Sequence, residues 1–209
     1  MLKNSFIIAF LFFGNFLCVA QKLIQKEFSS EEIHTLSIVD NAIYKITIYS
    51  SEEKNLKVLV HVSGEHSESM IIEEKISEET LELKTGFIPF IILENDKLAA
   101  HKVMAVEMEI VIPKTMSIEI KSVLASLETT GAIKNLAVSL ENGSCVLNDF
   151  SGNAHLKTAA GNITVFAETS VSGKAISELG IVENELFSDG KFFVEAESIN
   201  GNIKLLQTK

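Results

Sequence analysis

"TAAGNITVFA" at residues 158–167 and "SINGNIKLLQ" at residues 198–207 are the same phrase written twice. Each sets a small or polar residue ahead of Gly-Asn-Ile and then alternates in character. Working outward from this pair, Gly143, Gly161, Gly180 and Gly201 form a row of turn glycines at steps of 18, 19 and 21 residues. A second row lies between them at Gly131, Gly152, Gly173 and Gly190. Val138 and Leu140 ahead of Gly143 correspond to Leu156 and Thr158 ahead of Gly161, and Ala196 and Ser198 hold the register ahead of Gly201. A recurring unit of about twenty residues marks a repeat architecture, because one unit cannot bury its inward face and must stack on another. The Gly-Asn steps, with Asn162 and Asn202, mark the corners where the chain enters the next strand. Glycine is expected there for its access to positive φ, which Asn also tolerates better than most residues.

The rest of the chain reads as strands. "YKITIY", "LKVLVHVS", "TLELKT", "VMAVEMEIVIP", "MSIEIKS" and "LAVSLENG" place apolar residues at every second position, the pattern of half-buried strands, with breakers between them. Short helices are expected only near Ser29–His34 and Asp96–His101. The fold class expected is all-β, a β-solenoid of stacked coils of about twenty residues. Residues 113–209 supply the regular coils, and residues 21–112 a less regular β half of the same body.

Residues 1–20, "MLKNSFIIAFLFFGNFLCVA", have the layout of a secretory signal peptide. A lone Lys3 precedes an apolar run too short to span a membrane, and a small-residue cleavage site follows at Ala20. Leu17 ahead of Cys18 does not fit a lipidation site, so processing is expected to leave Gln21 first. That removes one Lys and no acid, taking the net charge from −10 to −11. The chain has no Arg, and an acidic protein lacking that residue is a poor partner for nucleic acid or anionic membrane. After processing, Cys145 is the one cysteine, so no intrachain disulfide can form and the core must hold the fold alone. Its place within "SCVLND" predicts a packed, unreactive thiol.

The lead-in "VEMEIVIPKTMSIEIKS", the following "GSCVLNDFSGNAHLKTAAGNITV" and the closing "ESINGNIKLL" resemble the putative auto-transporter adhesin family, also called the head GIN domain family, of exported bacterial proteins. The resemblance covers roughly residues 30–209 and departs from the family pattern at "SVLASLE", residues 122–128. It implies an exported, glycine-marked β protein in the periplasm or at the cell surface, and brings no catalytic residues with it.

A search for chemistry is consistent with that implication. No nucleophile elbow, zinc-binding helix motif or phosphate loop is present. His61, Glu65 and His66 in "HVSGEH" are competent metal ligands without a firm third partner, and read as a solvated hairpin. Calcium-binding repeats need Asp in every turn, whereas Asp149 and Asp189 stand alone and the corners carry Asn142, Asn153, Asn162 and Asn202, amides suited to backbone ladders. Uronate lyases use a basic residue, commonly Arg, and glycosidases need two carboxylates converging in a cleft, within about 10 Å of each other. Sugar platforms are scarce, with no Trp and only Tyr44 and Tyr49. No enzyme, no metal and no cofactor are therefore expected.

The functional expectation is a binding module whose partner is a protein or glycan. The alternative is an assembly protein that docks a partner through an open solenoid end or an apolar loop. For that loop the candidate is "GFIPFIILEN", whose Phe87, Ile88, Phe90, Ile91, Ile92 and Leu93 are apolar without alternation around Pro89; the same segment also reads as a strand buried on both faces or a loop that caps the solenoid end.

Overall fold

The computed structural model describes residues 21–64, 66–89, 104–186 and 189–208. These residues are almost wholly strand. In chain order they form β1 (Gln21–Ser29), β2 (Thr35–Val39), β3 (Ile43–Ser51), β4 (Asn55–Ser63), β5 (Met70–Ser77), β6 (Thr80–Phe87), β7 (Ala105–Pro113) and β8 (Ser117–Ser122). The long strands β9 (Ser126–Asn142) and β10 (Cys145–Ala160) follow, then β11 (Ile163–Ala167), β12 (Val171–Ser177), β13 (Val182–Asn184), β14 (Phe192–Asn200) and β15 (Ile203–Gln207). The expected helix at Ser29–His34 is instead a turn: the alternation of "QKLIQKEFS" carries β1 through Ser29, whose Oγ accepts from the Glu31 amide at 3.3 Å. Asp96–His101, the other expected helix, lies outside the described residues, as do residues 1–20. A single 3-10 turn at Ser67–Ser69 is the one helical element among the described residues, and no helix there is long and apolar enough to cross a membrane.

All fifteen strands belong to one hydrogen-bonded sheet, which is nearly closed and barrel-like. Its two walls share β9 and β10. The first wall runs β1-β4-β7-β3-β9-β10-β11-β15-β13; the second runs β5-β6-β2-β8-β9-β10-β14-β12. The sharing follows from two glycines. Gly131 at φ +95° and Gly152 at φ +150° bend β9 and β10, so that the first half of each strand pairs in one wall and the second half in the other. Alternation resets across each bend: Leu127 and Thr129 face inward before it in β9, Leu136, Val138 and Leu140 after it. One hydrophobic cluster from Ile33 to Leu205 fills the interior, each of its large side chains contributing about 1.5–3 kcal/mol on burial.

The pairings are parallel except in the β1-β4-β7 and β5-β6 ladders. Cys145 pairs with Leu127 on one side and Ile163 on the other, the repeat step expected from the sequence. The next step is different. Ile163 pairs with Ile203, and Val182 pairs with Ile203 from the other side, so residues 192–207 lie between residues 145–167 and residues 171–184. The other end repeats the device, with β2 and β3 lying between β6-β7 and β8-β9. The turn glycines accordingly stack in the order 143, 161, 201, 180.

The corners also correct the reason for those glycines. Positive φ is found at Gly64, Gly131 and Gly152, not at Gly143, Gly161, Gly180 or Gly201. The corner glycines are needed because a Cβ on each would fall on a carbonyl oxygen of the neighbouring layer: Ala125 for Gly143, Gly143 for Gly161, Gly161 for Gly201 and Gly201 for Gly180.

Side chains tie the walls together at both ends. Lys22 on β1 donates to the carbonyls of Glu68 and Met70 at 2.8 and 2.9 Å, and Lys26 pairs with Glu74 on β5 at 2.8 Å. At the far end, the Asn184 amide on β13 donates to the Gly173 carbonyl on β12 at 2.8 Å.

Candidate functional site

β3 buries Ile46 and Ile48 and so must present Lys45, Thr47 and Tyr49 outward; a register shift between Ile43 and Lys45 turns Tyr44 outward as well. β7 buries Val106, Met108 and Ile110 and presents Glu107 and Glu109. Strand pairing then assembles residues distant in sequence. Leu23, His61, Glu107 and Lys45 form one cross-strand row, and Gln25, Leu59, Glu109, Thr47 and Glu128 form the next. All of these except Gln25 and Leu59 line an open cavity of about 620 Å³ on the outer face of the first wall, with Tyr49 at its side.

The chemistry of this cavity is mixed and largely uncommitted. The Tyr44 hydroxyl donates to Glu107, and Glu128 accepts from the Asn148 amide at 3.5 Å. Lys45, Tyr49, His61 and Glu109 form no side-chain hydrogen bond or ion pair among the described residues. Tyr44 and Tyr49 are each 41% exposed, so both rings present area to solvent. Sequence reading took two tyrosines as too few for a platform; it had no means of seeing that both stand on one strand beside one cavity.

The second wall offers a contrasting groove of about 550 Å³, lined by Thr35, Asn135, Asn153, His155, Phe193 and Glu195 among others. Here the polar groups are spent on one another. The Asn153 amide donates to Asn135 at 3.3 Å, Asn135 donates to Ser117 at 3.1 Å, and Asn153 Oδ1 accepts from the Phe193 backbone at 3.1 Å. His155 Nδ1 meets Glu195 at 3.2 Å. Beside them the Lys157 ammonium, hydrogen-bonded at 2.9 Å, holds the Glu197 carboxyl below the usual carboxylate range. This groove is a ladder that stiffens the wall.

The residues singled out in the sequence fall in several places. Gly143, Gly161, Gly180 and Gly201 share one corner row. Asn162 Oδ1 accepts from the Asn202 amide and Asn202 Oδ1 from the Ile181 amide, both at 2.9 Å, whereas Asn142 enters the corner only through its backbone, donating to Val123. Phe87 and Ile88 are exposed at the end of β6; Phe90, Ile91, Ile92 and Leu93 lie outside the described residues. His61 lines the cavity, while His66 sits apart at φ 64° ahead of the 3-10 turn and Glu65 is outside the described residues. Among the described residues no group of three or more His, Cys, Asp or Glu is placed to hold a metal ion. Cys145 is fully buried, and burial pushes its thiol up to about 12. Glu107 and Glu109, two residues apart on β7, are about 7 Å apart along the strand. They satisfy the spacing set for paired carboxylates, but they point the same way from an open face instead of opposing each other across a cleft.

No family model matches the chain, and no curated protein matches it. Solved structures do. A putative cell adhesion protein from Clostridium sporogenes superposes with a TM-score of 0.65 at 21% identity, over 90% of this chain and 100% of its own. The chain has the fold of that structure. A putative adhesin from Bacteroides fragilis gives a TM-score of 0.40 at 15% identity over 88% of this chain and 97% of its own. A putative adhesin from Parabacteroides distasonis gives a TM-score of 0.32 at 11% identity. Such likeness concerns the fold alone; what the face of the first wall does must come from its own residues.

Proposed function

We propose that this chain is a non-catalytic, exported binding module, adhesin-like in role, acting in the periplasm or at the cell surface. Its repeating layers are read as the coils of a β-solenoid, an architecture that presents long regular faces. The observation that carries the proposal is the cavity on the first wall, where Lys45, Tyr49, His61 and Glu109 stand together with no side-chain partner among the described residues. A structural face would pair such groups, as the second wall does with Asn153, His155 and Lys157. The name of the Clostridium sporogenes structure supports the same reading.

The test is protease accessibility on intact and lysed cells of the source organism, together with retention of labelled protein on intact cells. Digestion on intact cells, and retention weakened by a Lys45→Ala, Glu109→Ala double variant, are expected. Protection until lysis would confine the protein inside the envelope and end the adhesin role.

A second reading has its own observation. The end layer formed by β12 and β13 leaves Leu179 and Ile181 each 75% exposed, next to exposed Ile176 and Val182. Each of these strands pairs on one side only. A protein partner docking on this open end would make the chain an assembly factor. Crosslinking to a partner that is lost in a Leu179→Ser, Ile181→Ser variant of unchanged melting temperature is the expected sign; crosslinking that survives the substitutions would dismiss this reading.

A further inference from the structure

We infer that the ligand of the first-wall cavity is a neutral saccharide chain, with Tyr49 as its stacking platform and Glu109, Glu128 and Lys45 as partners for its hydroxyl groups. This rests on the binding-module reading and names its ligand.

The lining decides the chemical class. A pyranose ring has an apolar C–H face and a rim of hydroxyls that both donate and accept. Its complement is an exposed aromatic ring flanked by carboxylates and an ammonium, and that is what the register brings together. Tyr49 shares a row with Val111 and Thr130; the neighbouring row carries Glu109, Thr47 and Glu128; Lys45 and Glu107 lie one row further. Carboxylates accept hydroxyl protons in charge-assisted hydrogen bonds, roughly twice as strong as neutral ones. Glu109 is free to accept from a hydroxyl, and Lys45 to donate to one, without breaking an existing contact among the described residues.

Other ligand classes fit less well. Three carboxylates, Glu107, Glu109 and Glu128, against Lys45 and Lys22 make the cavity a poor host for uronates or phosphate, and the chain has no Arg to fork onto either. Lys22 already donates to two carbonyls. A lipid chain would need an apolar floor, whereas the lining is dominated by polar side chains. An extended peptide adds to sheet edges, and this cavity lies on a sheet face across β1, β4, β7, β3 and β9. Four strand intervals span about 19 Å, room for several linked rings. The volume, about 620 Å³, is within the usual range of small-ligand sites.

The experiment is calorimetric titration of the purified protein with neutral oligosaccharides (gluco-, manno-, galacto- and xylo-linked) and with acidic oligogalacturonate, alongside cell retention before and after periodate oxidation of the cells. Binding of at least one neutral series is expected, weakened about 10-fold or more by Tyr49→Ala and by Glu109→Gln. Phe193→Ala on the opposite wall should leave it unchanged. The Glu109→Gln variant keeps the test valid if loss of the ring perturbs folding. Cell retention that survives periodate, with no neutral oligosaccharide bound, would overturn the saccharide proposal and leave the binding module standing. Saccharide binding without cell retention would uphold the ligand and the binding module and overturn the adhesin role at the cell surface. Preference for the acidic series, or binding untouched by both first-wall variants, would also overturn the assignment.

Discussion

Gly201 rests on the carbonyl oxygen of Gly161, forty residues earlier in the chain, so closely that a Cβ at Gly201 would coincide with that oxygen. Gly180 bears on Gly201 in the same way. The obstacle is backbone, held by ladders on both sides, and cannot swing aside. Gly201→Ala should therefore cost about 3 kcal/mol, the upper end of overpacking penalties. Gly86 is the control: a Cβ there meets only the flexible end of the Glu73 side chain, and Gly86→Ala should stay within about 1 kcal/mol of the parent. Urea midpoints for the two variants make the comparison, and equal losses would refute the close-approach account.

Thr129 is fully buried in the first half of β9, and its hydroxyl has no hydrogen-bond partner among the described residues. An unpaired buried hydroxyl costs about 1–3 kcal/mol, and valine has nearly the same shape. Thr129→Val should raise the unfolding free energy by about 1 kcal/mol with an unchanged denaturant slope. A lower midpoint would mean that the hydroxyl is satisfied after all.

Asp40 is nearly buried where β2 turns into β3, and its carboxylate is saturated. Oδ1 accepts from the amides of Ala42 and Ile43 at 2.6 and 3.3 Å, and Oδ2 accepts from the amide and hydroxyl of Thr85 at 2.5 and 2.6 Å. Hydrogen bonds to a charged group contribute about 1.5–3 kcal/mol, and removing the acceptor strands several donors at once. Asp40→Ala should lower stability by about 3 kcal/mol, whereas Asp149→Ala at an exposed corner should cost far less. The measurement is chemical denaturation of both.

Burial raises the Cys145 thiol from 9.0 to about 12. The folded state thus holds this proton more tightly than the unfolded chain does. The associated stability is fully present below pH 9 and is lost as pH rises from 9 to 12, by about 4 kcal/mol over that window. Thiol-specific reagents at pH 8 should label the native protein only as fast as it opens, and Cys145→Ala should flatten the alkaline limb of the stability profile. Prompt stoichiometric labelling of folded protein would contradict the burial.

How far the sequence went can be seen strand by strand. Alternation in "YKITIY" and "VMAVEMEIVIP" was enough to name β3 and β7 and to say which residues face inward, because a half-buried strand writes its burial in its own side chains. The glycine rows were equally visible, although their cause was not: close approach of two backbones leaves no local mark that separates it from a need for positive φ. The stacking order 143, 161, 201, 180 was hidden for a deeper reason. A period gives the length of chain in one layer and carries no information on which layer lies beside it. The cavity was hidden likewise. Tyr49, Glu109 and Glu128 come together only through the β3-β7 and β3-β9 ladders, and a pairing across sixty or more residues is chosen by the fit of whole layers. The usable signal was that the outward positions of β3 and β7 carry Tyr, Lys and Glu in place of the small polar residues of an idle surface.

The insertion of residues 192–207 between two earlier layers bears on how the molecule answers to force. A strand at the rim of a wall can be peeled, one hydrogen bond at a time. β15 is instead clamped between β11 and β13, and β14 between β10 and β12. Tension applied at residue 207 must shear two parallel ladders together before anything yields, whereas tension at residue 21 meets β1, which among the described residues is paired to β4 alone. The molecule is mechanically polar, strong when held from one end and easily unzipped from the other.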